Sequence, residues 1–255
     1  SEKFAGAEQT YCIEAMMGDK RALQAGTSHN LGQNFAKAFD VTFQTKDNKE
    51  EFVWATSWGV STRLVGAVVL THGDEKGLRL PPMIAPIQIV IIPISKKDEE
   101  KNLLESYISS ITKDLDKIKI RYHVDWSEKS PGFKFNDWEM KGVPIRFEIG
   151  QRDLENNNIV LARRDTGNKE TLDISKLLNV IPETLEKIQK SLFDQALAFR
   201  NENTFTVESF EEFSKKIKKG GFIRGGWDGT DETEKIIKEK TKATIRCIPF
   251  DENPK

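Results

Sequence analysis

The sequence has few cysteines and no long hydrophobic run. Its two cysteines, Cys12 and Cys247, are far apart and outside any paired metal-ligand spacing, which excludes a disulfide framework and indicates a reducing compartment. No apolar run reaches the roughly 18 residues of a membrane helix, and no basic segment precedes a hydrophobic one at the start of the chain. We therefore predict a cytoplasmic location and no membrane partner.

An excess of charge of one sign is also missing. Lys and Arg number 39 and Asp and Glu number 40, so the net charge is -1. Bulk electrostatics therefore do not favour nucleic acid, and any RNA contact must come from a local basic surface. Hydrophobic residues make up 37% of the 255 residues, which is enough to bury a core and to form two domains of about 100 to 200 residues each.

The first 80 residues contain short runs in which apolar and polar residues alternate. Runs at 10–15 and 51–55 predict half-buried antiparallel strands. We also predict a short helix from Leu31 to Phe39, capped by Ser28, and an apolar helix over residues 61–72.

The pattern changes after three prolines between residues 81 and 86, which form a non-helical joint. The run 88–94 is typical of a buried parallel strand, and the following helix has an apolar stripe from Leu103 to Ile118. With a strand at 120–126, these elements form a strand–helix–strand unit whose crossover favours parallel pairing. We further predict a helix at 131–141 and strands at 144–149 and 158–164.

A long helix from Pro182 to about Arg200 begins the last part of the chain, and a small appendage ends in a strand at 243–250. The predicted fold class is thus mixed α/β and α+β in several domains. An antiparallel sheet comes first, then an α/β domain with a mixed sheet, then a small α+β domain. We place these domains at 1–82, 83–181 and 182–255.

A polar stretch from Gln24 to His29 is the first candidate site. We predict that it lies on a turn between a strand and a helix, where backbone donors and side chains face a ligand. The alternative is structural: Ser28 caps the helix and His29 is a satisfied core histidine.

Arg63 is the second candidate, because it stands between Trp58 and an otherwise apolar helix. An unpaired guanidinium among apolar residues is costly, so it needs an anionic partner. A phosphate suits its planar fork. The alternative is a salt bridge to a carboxylate such as Glu14.

These stretches also resemble prolyl-tRNA synthetases of the archaeal and eukaryotic type, and the resemblance runs in order through most of the chain. The matching segments are Lys3 to Ala7, Ala22 to His29, Leu31 to Lys37, Thr56 to Arg63, Gly77 to Pro82, Ala85 to Gln88, Pro131 to Asn136, Trp138 to Arg146 and Gly150 to Asp153. The resemblance implies a class II synthetase, which forms prolyl-adenylate from L-proline and ATP with Mg²⁺ and transfers proline to tRNA(Pro). The first domain would then be part of the class II antiparallel sheet, and the second an anticodon-binding domain.

The resemblance also implies roles for particular residues. Ser61 to Arg63 is similar to the third class II motif, in which Arg63 would be the catalytic residue that holds the ATP γ-phosphate. The other ATP-binding residues would be Gln24, Thr27 and Ser61. The proline pocket would be formed by His29 with Phe4 and Trp58 as apolar walls, which suits a small cyclic imino acid.

Two departures from the family pattern restrict this interpretation. The first and second class II motifs are missing, and the chain opens on Ser1 without an initiator Met, so we expect a processed or truncated product that is inactive alone and a homodimer when full length. The family's C-terminal zinc module is also altered, since Asp228 and Thr233 stand at two ligand positions and only Cys247 remains. Tetrahedral zinc needs four N or S ligands, so we expect no zinc or other metal.

Residues 131–169 predict the surface that reads the tRNA, because cations with aromatic faces suit unstacked loop bases. The cations are Lys134, Lys141, Arg146, Arg152, Arg163, Arg164 and Lys169, among Phe133, Phe135 and Trp138. By the resemblance, Glu139, Arg146, Asp153 and Lys169 would contact the two guanines shared by proline anticodons. With acidic and basic groups on one face for base reading, we predict that Arg163 and Arg164 meet phosphates. The alternative is a solvated basic surface.

Two other functions compete with this interpretation. One is a stand-alone anticodon-binding module with an inactive catalytic remnant, although Gln24, Thr27, His29 and Arg63 are all present. The other is a different class II synthetase, such as a threonyl or glycyl enzyme.

Overall fold

Alternating residues in the first part of the chain form a small antiparallel sheet. In the computed structural model, which describes residues 4–95 and 98–250, strand order is β1-β2-β5, and both neighbours of β2 run antiparallel to it. The elements are β1 Gln9–Met16, β2 Ala22–Gly32, α1 Asn34–Phe39, β3 Thr42–Gln44, β4 Glu50–Phe52, β5 Ala55–Gly59 and α2 Arg63–His72. The strand predicted at 10–15 and the helix predicted over 61–72 are therefore present, whereas the strand predicted at 51–55 is divided between the end of β4 and the start of β5.

The predicted turn from Gln24 to His29 is wrong, because these residues lie inside β2. Their polar character suggested a turn, but β2 is the central strand. It pairs with β1 along its length and with β5 from Thr27 onward, and these ladders satisfy its backbone groups. Ser28 therefore caps no helix. Helix α1 begins three residues later than predicted, after Gln33, which makes no side-chain cap hydrogen bond.

The middle of the chain forms a five-stranded mixed sheet in the order β10-β9-β8-β6-β7. Its elements are β6 Ile89–Ile94, α3 Asp98–Lys117, β7 Tyr122–Val124, α4 Pro131–Met140, β8 Ile145–Gly150, α5 Gln151–Glu155, β9 Asn158–Arg163, β10 Lys169–Asp173 and α6 Leu177–Glu202. Strand β6 pairs in parallel with β7 and β8, whereas β9 is antiparallel to β8 and β10. The predicted crossover unit and mixed sheet are thus confirmed, while β10 and α5 were not predicted.

The core of this region lies between the sheet and helices α3 and α6. Strand β6 is buried at every position from Ile89 to Pro93, as its continuous apolar run predicts. Buried side chains from the sheet and both helices form one cluster, which includes Ile91, Leu104, Leu115 and Phe147. Ile145, Phe147 and Ile149 on one face of β8 belong to this cluster, whereas Arg146 and Glu148 lie on the other face.

Helix α6 begins five residues earlier than predicted. It starts at Leu177 and contains Pro182, although proline favours the first helical turn. A 3₁₀ turn at Ile174–Lys176 leads directly into it, and the buried Leu177 and Ile181 belong to the core cluster. Packing of this first turn offsets the loss of one backbone donor at the proline.

The last part of the chain has a two-stranded parallel sheet and two helices. These are β11 Thr204–Thr206, α7 Phe210–Lys216, β12 Phe222–Arg224 and α8 Asp231–Thr241. The predicted strand at 243–250 is wrong, since these residues pair with no strand among those described. Instead, Arg246 binds the carboxylate of Glu14 on β1, with Nη2–Oε2 at 3.0 Å. The sequence also predicts that residues 251–255 are frayed, but these residues lie outside those that the structure describes.

The chain divides into two units. One is His72–Ala198, and the other combines the residues up to Thr71 with those from Phe199 onward. The division into domains at 1–82, 83–181 and 182–255 stays a prediction about the architecture. Within the described residues, no helix is both long enough and apolar enough to cross a membrane.

Candidate functional sites

The unit His72–Ala198 contains a cavity of about 220 Å³ with a charged wall. Its lining residues come from the segment before the sheet, from α4 and from strands of the sheet: Lys76, Val90, Trp138, Glu139, Val143, Arg146, Ala162, Arg163, Arg164, Gly167 and Lys169. Three of the four residues predicted to read the anticodon are among them. The sequence alone separated these three by up to 30 positions.

Strand register explains why Arg146 and Lys169 meet. Arg146 on β8 is directly opposite Ala162 on β9, and Ala162 is directly opposite Lys169 on β10. Directly opposite residues share one face of a sheet. The two cations therefore stand on either side of an alanine, whose small side chain leaves the cavity open between them.

The turn between β9 and β10 fixes this register. Arg163 and Asn168 close the hairpin, with the Arg163 amide 2.9 Å from the Asn168 carbonyl oxygen and the Gly167 amide 3.0 Å from the Arg163 carbonyl oxygen. Gly167 has φ +74°, a left-handed conformation that favours glycine. The turn therefore places Lys169 as the first residue of β10.

A carboxylate that was not predicted holds both cations. Arg146 donates to Glu148 Oε1 from Nε at 3.1 Å and from Nη2 at 2.8 Å, and Lys169 Nζ donates to Glu148 Oε2 at 2.9 Å. The Arg146 guanidinium also lies 4.5 Å from the centre of the Phe135 ring. The sequence signal was present, since Arg146 and Glu148 are charged residues two apart in an otherwise apolar strand.

Helix α4 supplies Glu139 and Trp138. Ser130 caps the helix and Pro131 opens it, as preferred at these positions. The indole Nε1 of Trp138 donates to Asp125 Oδ2 at 2.7 Å, and Glu139 Oε1 accepts from Lys76 Nζ at 3.3 Å. Burial would raise the pKa of Asp125, but hydrogen bonds from Ser127 and Trp138 and the charge of Lys134 lower that pKa to about 2.

Asp153 is not brought to this cavity. Its carboxylate accepts from the Gly150 amide at 2.8 Å and caps α5, a short helix that was not predicted. Lys134 also differs from the prediction of a surface cation, since it is buried and donates to the Asp125 carbonyl at 2.8 Å. Asp153 and Lys134 thus both make hydrogen bonds within the fold.

Arg164, which was predicted to contact phosphates, is engaged by other residues of its own unit. Its side chain is 6% exposed, and its Nη1 and Nη2 donate to Asp74 at 2.9 and 2.6 Å. Its Nε donates to the Glu139 carbonyl at 2.9 Å. Hydrogen bonding from Arg164 lowers the pKa of Asp74 to about 2. Arg163 is likewise held by Asp165.

Arg164 thereby fixes the turn that carries Lys76. The Asp74 and Gly77 backbones bond each other, and the Leu78 amide donates to the Met140 carbonyl at 2.9 Å. Gly77 has φ +125°, and a Cβ there would lie 2.5 Å from Met140 Cα. The close approach of the turn to the end of α4 brings Lys76 to the cavity, which sequence reasoning did not foresee.

The other candidate site lies on the sheet of β1, β2 and β5. The rings of Phe4 and His29 have centroids 4.7 Å apart, and Thr10 Oγ1 is 3.0 Å from His29 Nδ1. Trp58 is opposite Ser28 and His29 is opposite Ser57. Since successive residues of a strand point to opposite faces, Trp58 is on the other face of the sheet from His29. The structure thus brings Phe4 and His29 together without Trp58.

Arg63 is exposed at the first position of α2. Its Nη1 donates to the Gln24 carbonyl at 3.3 Å, and its amide donates to Ser61 Oγ at 3.3 Å. Within the described residues it forms no salt bridge, and the carboxylate of Glu14 binds Arg246 instead. Thr27 lies opposite Gly59, the last residue of β5. Of the four predicted ATP-binding residues, Gln24 and Thr27 thus come from β2, Arg63 begins α2, and Ser61 lies two residues before that helix.

Asp228 and Thr233, which stand at two positions of the family's zinc ligands, are hydrogen-bonded to each other at the N-terminus of α8. Thr230 caps α8, and Asp228 accepts from Thr230 Oγ1 at 2.9 Å and from Thr233 Oγ1 at 2.6 Å. No group of three His, Cys, Asp or Glu residues suited to a metal occurs in the described part of the chain. The expectation of a zinc-free protein stays a prediction.

The mixed sheet, which carries part of the cavity wall, belongs to a known class of domain, the anticodon-binding domain. Residues 88–184 match the family described as Anticodon binding domain, and residues 210–255 match the one described as Prolyl-tRNA synthetase, C-terminal. Over 98% of this chain, the proline–tRNA ligases of Flavobacterium johnsoniae and Bacteroides fragilis are 54% and 55% identical to it.

A solved structure of a prolyl-tRNA synthetase also matches this chain. The crystal structure of prolyl-tRNA synthetase from Cryptosporidium parvum, complexed with L-proline and AMP, is 38% identical, with a TM-score of 0.92 over 98% of this chain and 55% of its own. The chain belongs to the prolyl-tRNA synthetase family and carries its anticodon-binding and C-terminal domains. It spans 51% of the length of the two curated relatives named above.

Proposed function

We propose that this chain is the tRNA-reading part of a proline–tRNA ligase, and that its charged cavity reads a guanine of the proline anticodon. The observation that carries this proposal is the convergence of Glu139, Arg146 and Lys169 on one cavity. Arg or Lys donors match guanine O6 and N7, and a carboxylate accepts from N1 and N2. Acidic and basic groups side by side therefore suit base reading better than phosphate binding alone.

Arg146→Ala tests the base-reading role. Filter binding is measured with tRNA(Pro) and with the same tRNA whose two shared guanines are replaced. Loss of one bidentate contact should cost about 1 to 3 kcal/mol against tRNA(Pro) and reduce discrimination between the two tRNAs. Arg200→Ala is the matched control, because Arg200 is exposed on α6 and does not line the cavity. Equal loss of affinity for both tRNAs would contradict base reading by Arg146.

We also propose that Gln24, Thr27, Ser61 and Arg63 hold ATP and that Phe4 and His29 border the proline site of the whole enzyme. The exposed Arg63 beside Gln24 supports this, because its guanidinium has donors left for a phosphate. The described residues offer no carboxylate cluster for Mg²⁺, so we assign no step to the ion. Asp153 and Trp58 stay candidates by resemblance alone, as does a homodimer, while the cytoplasmic location stays the prediction made from the sequence pattern.

Arg63→Ala in the full-length enzyme tests the ATP site. We expect proline-dependent pyrophosphate exchange to fall by about 10²-fold or more, since a phosphate-binding Arg typically contributes about 3 kcal/mol to the transition state. Arg21→Ala, at an exposed position between β1 and β2, is the control. An unchanged exchange rate would exclude the assignment. The 255-residue chain alone, which lacks the first two class II motifs, should form no prolyl-adenylate.

A further inference from the structure

Glu148 occupies an unusual position among the residues of the cavity wall. It is 9% exposed, and its one carboxylate accepts from both predicted base-reading cations, Arg146 and Lys169. A buried carboxylate is costly unless it is paired and hydrogen-bonded. Here three donors from two strands, β8 and β10, satisfy it. The group of three side chains carries a net charge of +1, where two unpaired cations would carry +2.

The carboxylate also leaves particular donors free. A guanidinium has five N–H donors in a fixed fork, and Arg146 uses Nε and one Nη2 hydrogen on Glu148. The Phe135 ring packs beside the guanidinium, and the Phe135 carbonyl accepts from Nη1 at 3.4 Å. The Glu148 carboxylate, the Phe135 ring and the Phe135 carbonyl together fix the orientation of the guanidinium plane. The N–H groups that remain unused therefore point in a fixed direction.

We propose that Glu148 is a positioning residue that determines specificity: it holds Arg146 and Lys169 in the geometry for a base edge and lowers their attraction for phosphates. This inference rests on the proposed base reading. Without the carboxylate, two long cations would move freely next to a polyanion. Phosphate binding is independent of sequence and grows with each cation available. Loss of Glu148 should therefore strengthen binding to the wrong tRNA while weakening discrimination.

Glu148→Gln tests this, with Glu170→Gln as the matched control. Both remove one negative charge, but Glu170 is exposed and follows Lys169 on β10, so it lies on the opposite face of that strand. Affinities for tRNA(Pro) and for the guanine-replaced tRNA are measured across a salt series. For Glu148→Gln we expect the ratio of the two affinities to fall about tenfold. We also expect the salt slope for the replaced tRNA to steepen by roughly 0.7 to 0.9 for each additional phosphate that the freed cations neutralise.

Glu148→Asp provides a second variant that keeps the charge. It retracts the carboxylate by one methylene, so the affinity ratio should fall while the salt slope stays unchanged. An unchanged ratio in both variants, or an equal fall in Glu170→Gln, would overturn the inference. If Arg146→Ala lowers discrimination and the Glu148 variants do not, only this inference fails. If Arg146→Ala leaves discrimination intact, the base-reading proposal itself fails. A Glu148→Gln protein that does not fold leaves Glu148→Asp to decide.

Discussion

The two larger sheets of this chain differ in how their apolar residues are covered. Strand β6 of the five-stranded sheet is buried from Ile89 to Pro93, whereas strand β5 is exposed at four of its five positions. Helix α3 packs Leu104, Ile108, Ile111 and Leu115 into the core, but helix α2 contains no buried residue despite its apolar sequence. Apolar side chains stabilise a fold only in proportion to the surface that they bury. The unit His72–Ala198 should therefore provide most of the stability.

Leu115→Ala should show the largest difference between the units. Leu115 is fully buried, so its truncation should lower the free energy of unfolding by roughly 2 to 5 kcal/mol. Val65→Ala on α2, where Val65 is 68% exposed, should change it by less than about 0.5 kcal/mol. Urea denaturation followed by circular dichroism measures both. Similar losses would show that α2 is buried in solution.

Arg164→Ala compares a structural arginine with an exposed one in the same unit. It removes the guanidinium that binds Asp74 and the Glu139 carbonyl, so we expect a loss of about 3 kcal/mol in unfolding free energy. Arg152→Ala should be nearly neutral because that side chain is exposed. A stable Arg164→Ala protein with weakened binding to all tRNAs would restore the phosphate role and contradict our assignment.

Ala162→Leu tests the open space between the two cations. A leucine there would fill part of the cavity beside Arg146 and Lys169, and we expect affinity for tRNA(Pro) to fall about tenfold, or about 1.4 kcal/mol. The salt slope should stay unchanged because no cation is removed. Ala198→Leu, at an exposed helix position, is the control. Unchanged affinity for tRNA(Pro) would mean that no base enters this cavity.

The smallest expected effect is a dependence of stability on pH at Asp74. Arg164 lowers the pKa of this carboxyl to about 2 in the folded chain, below its usual value of about 3.9 in the unfolded chain. A lowered folded pKa contributes stability above pH 4 that is lost as pH falls toward 2. Stability of the Asp74→Asn variant should therefore decline less between pH 5 and 2 than that of the parent chain. Parallel declines would exclude this linkage.

The sequence predicted the α/β unit better than the first sheet, and the reason is burial. Residues 88–94 and the stripe on α3 carry a clear pattern because they are buried in one continuous core. Strand β2 was mistaken for a turn because its residues are polar, and only its pairing with two neighbours keeps it extended. Strand β10 was not predicted, since four of its five residues are exposed.

The candidate site shows a similar division. Resemblance singled out Glu139, Arg146 and Lys169, and the structure places them at one cavity. The resemblance could not reveal that Asp74 binds Arg164, which follows it by 90 positions in the sequence. Glu148 was missed because one of its partners lies on β10, the strand that was not predicted. Contacts between distant strands depend on register, which local patterns do not encode.

The length of the hairpin between β9 and β10 determines which charged side chain faces the cavity. Ala162 and Lys169 are paired across this hairpin, so the number of residues between them decides which side chain of β10 faces Arg146. One inserted residue in the turn would shift the register, and every side chain of β10 would change face. Lys169 would then leave the cavity and an acidic or polar neighbour would take its position. An insertion or deletion of one residue at 164–168 should therefore change which side chain of β10 stands beside Ala162 and Arg146.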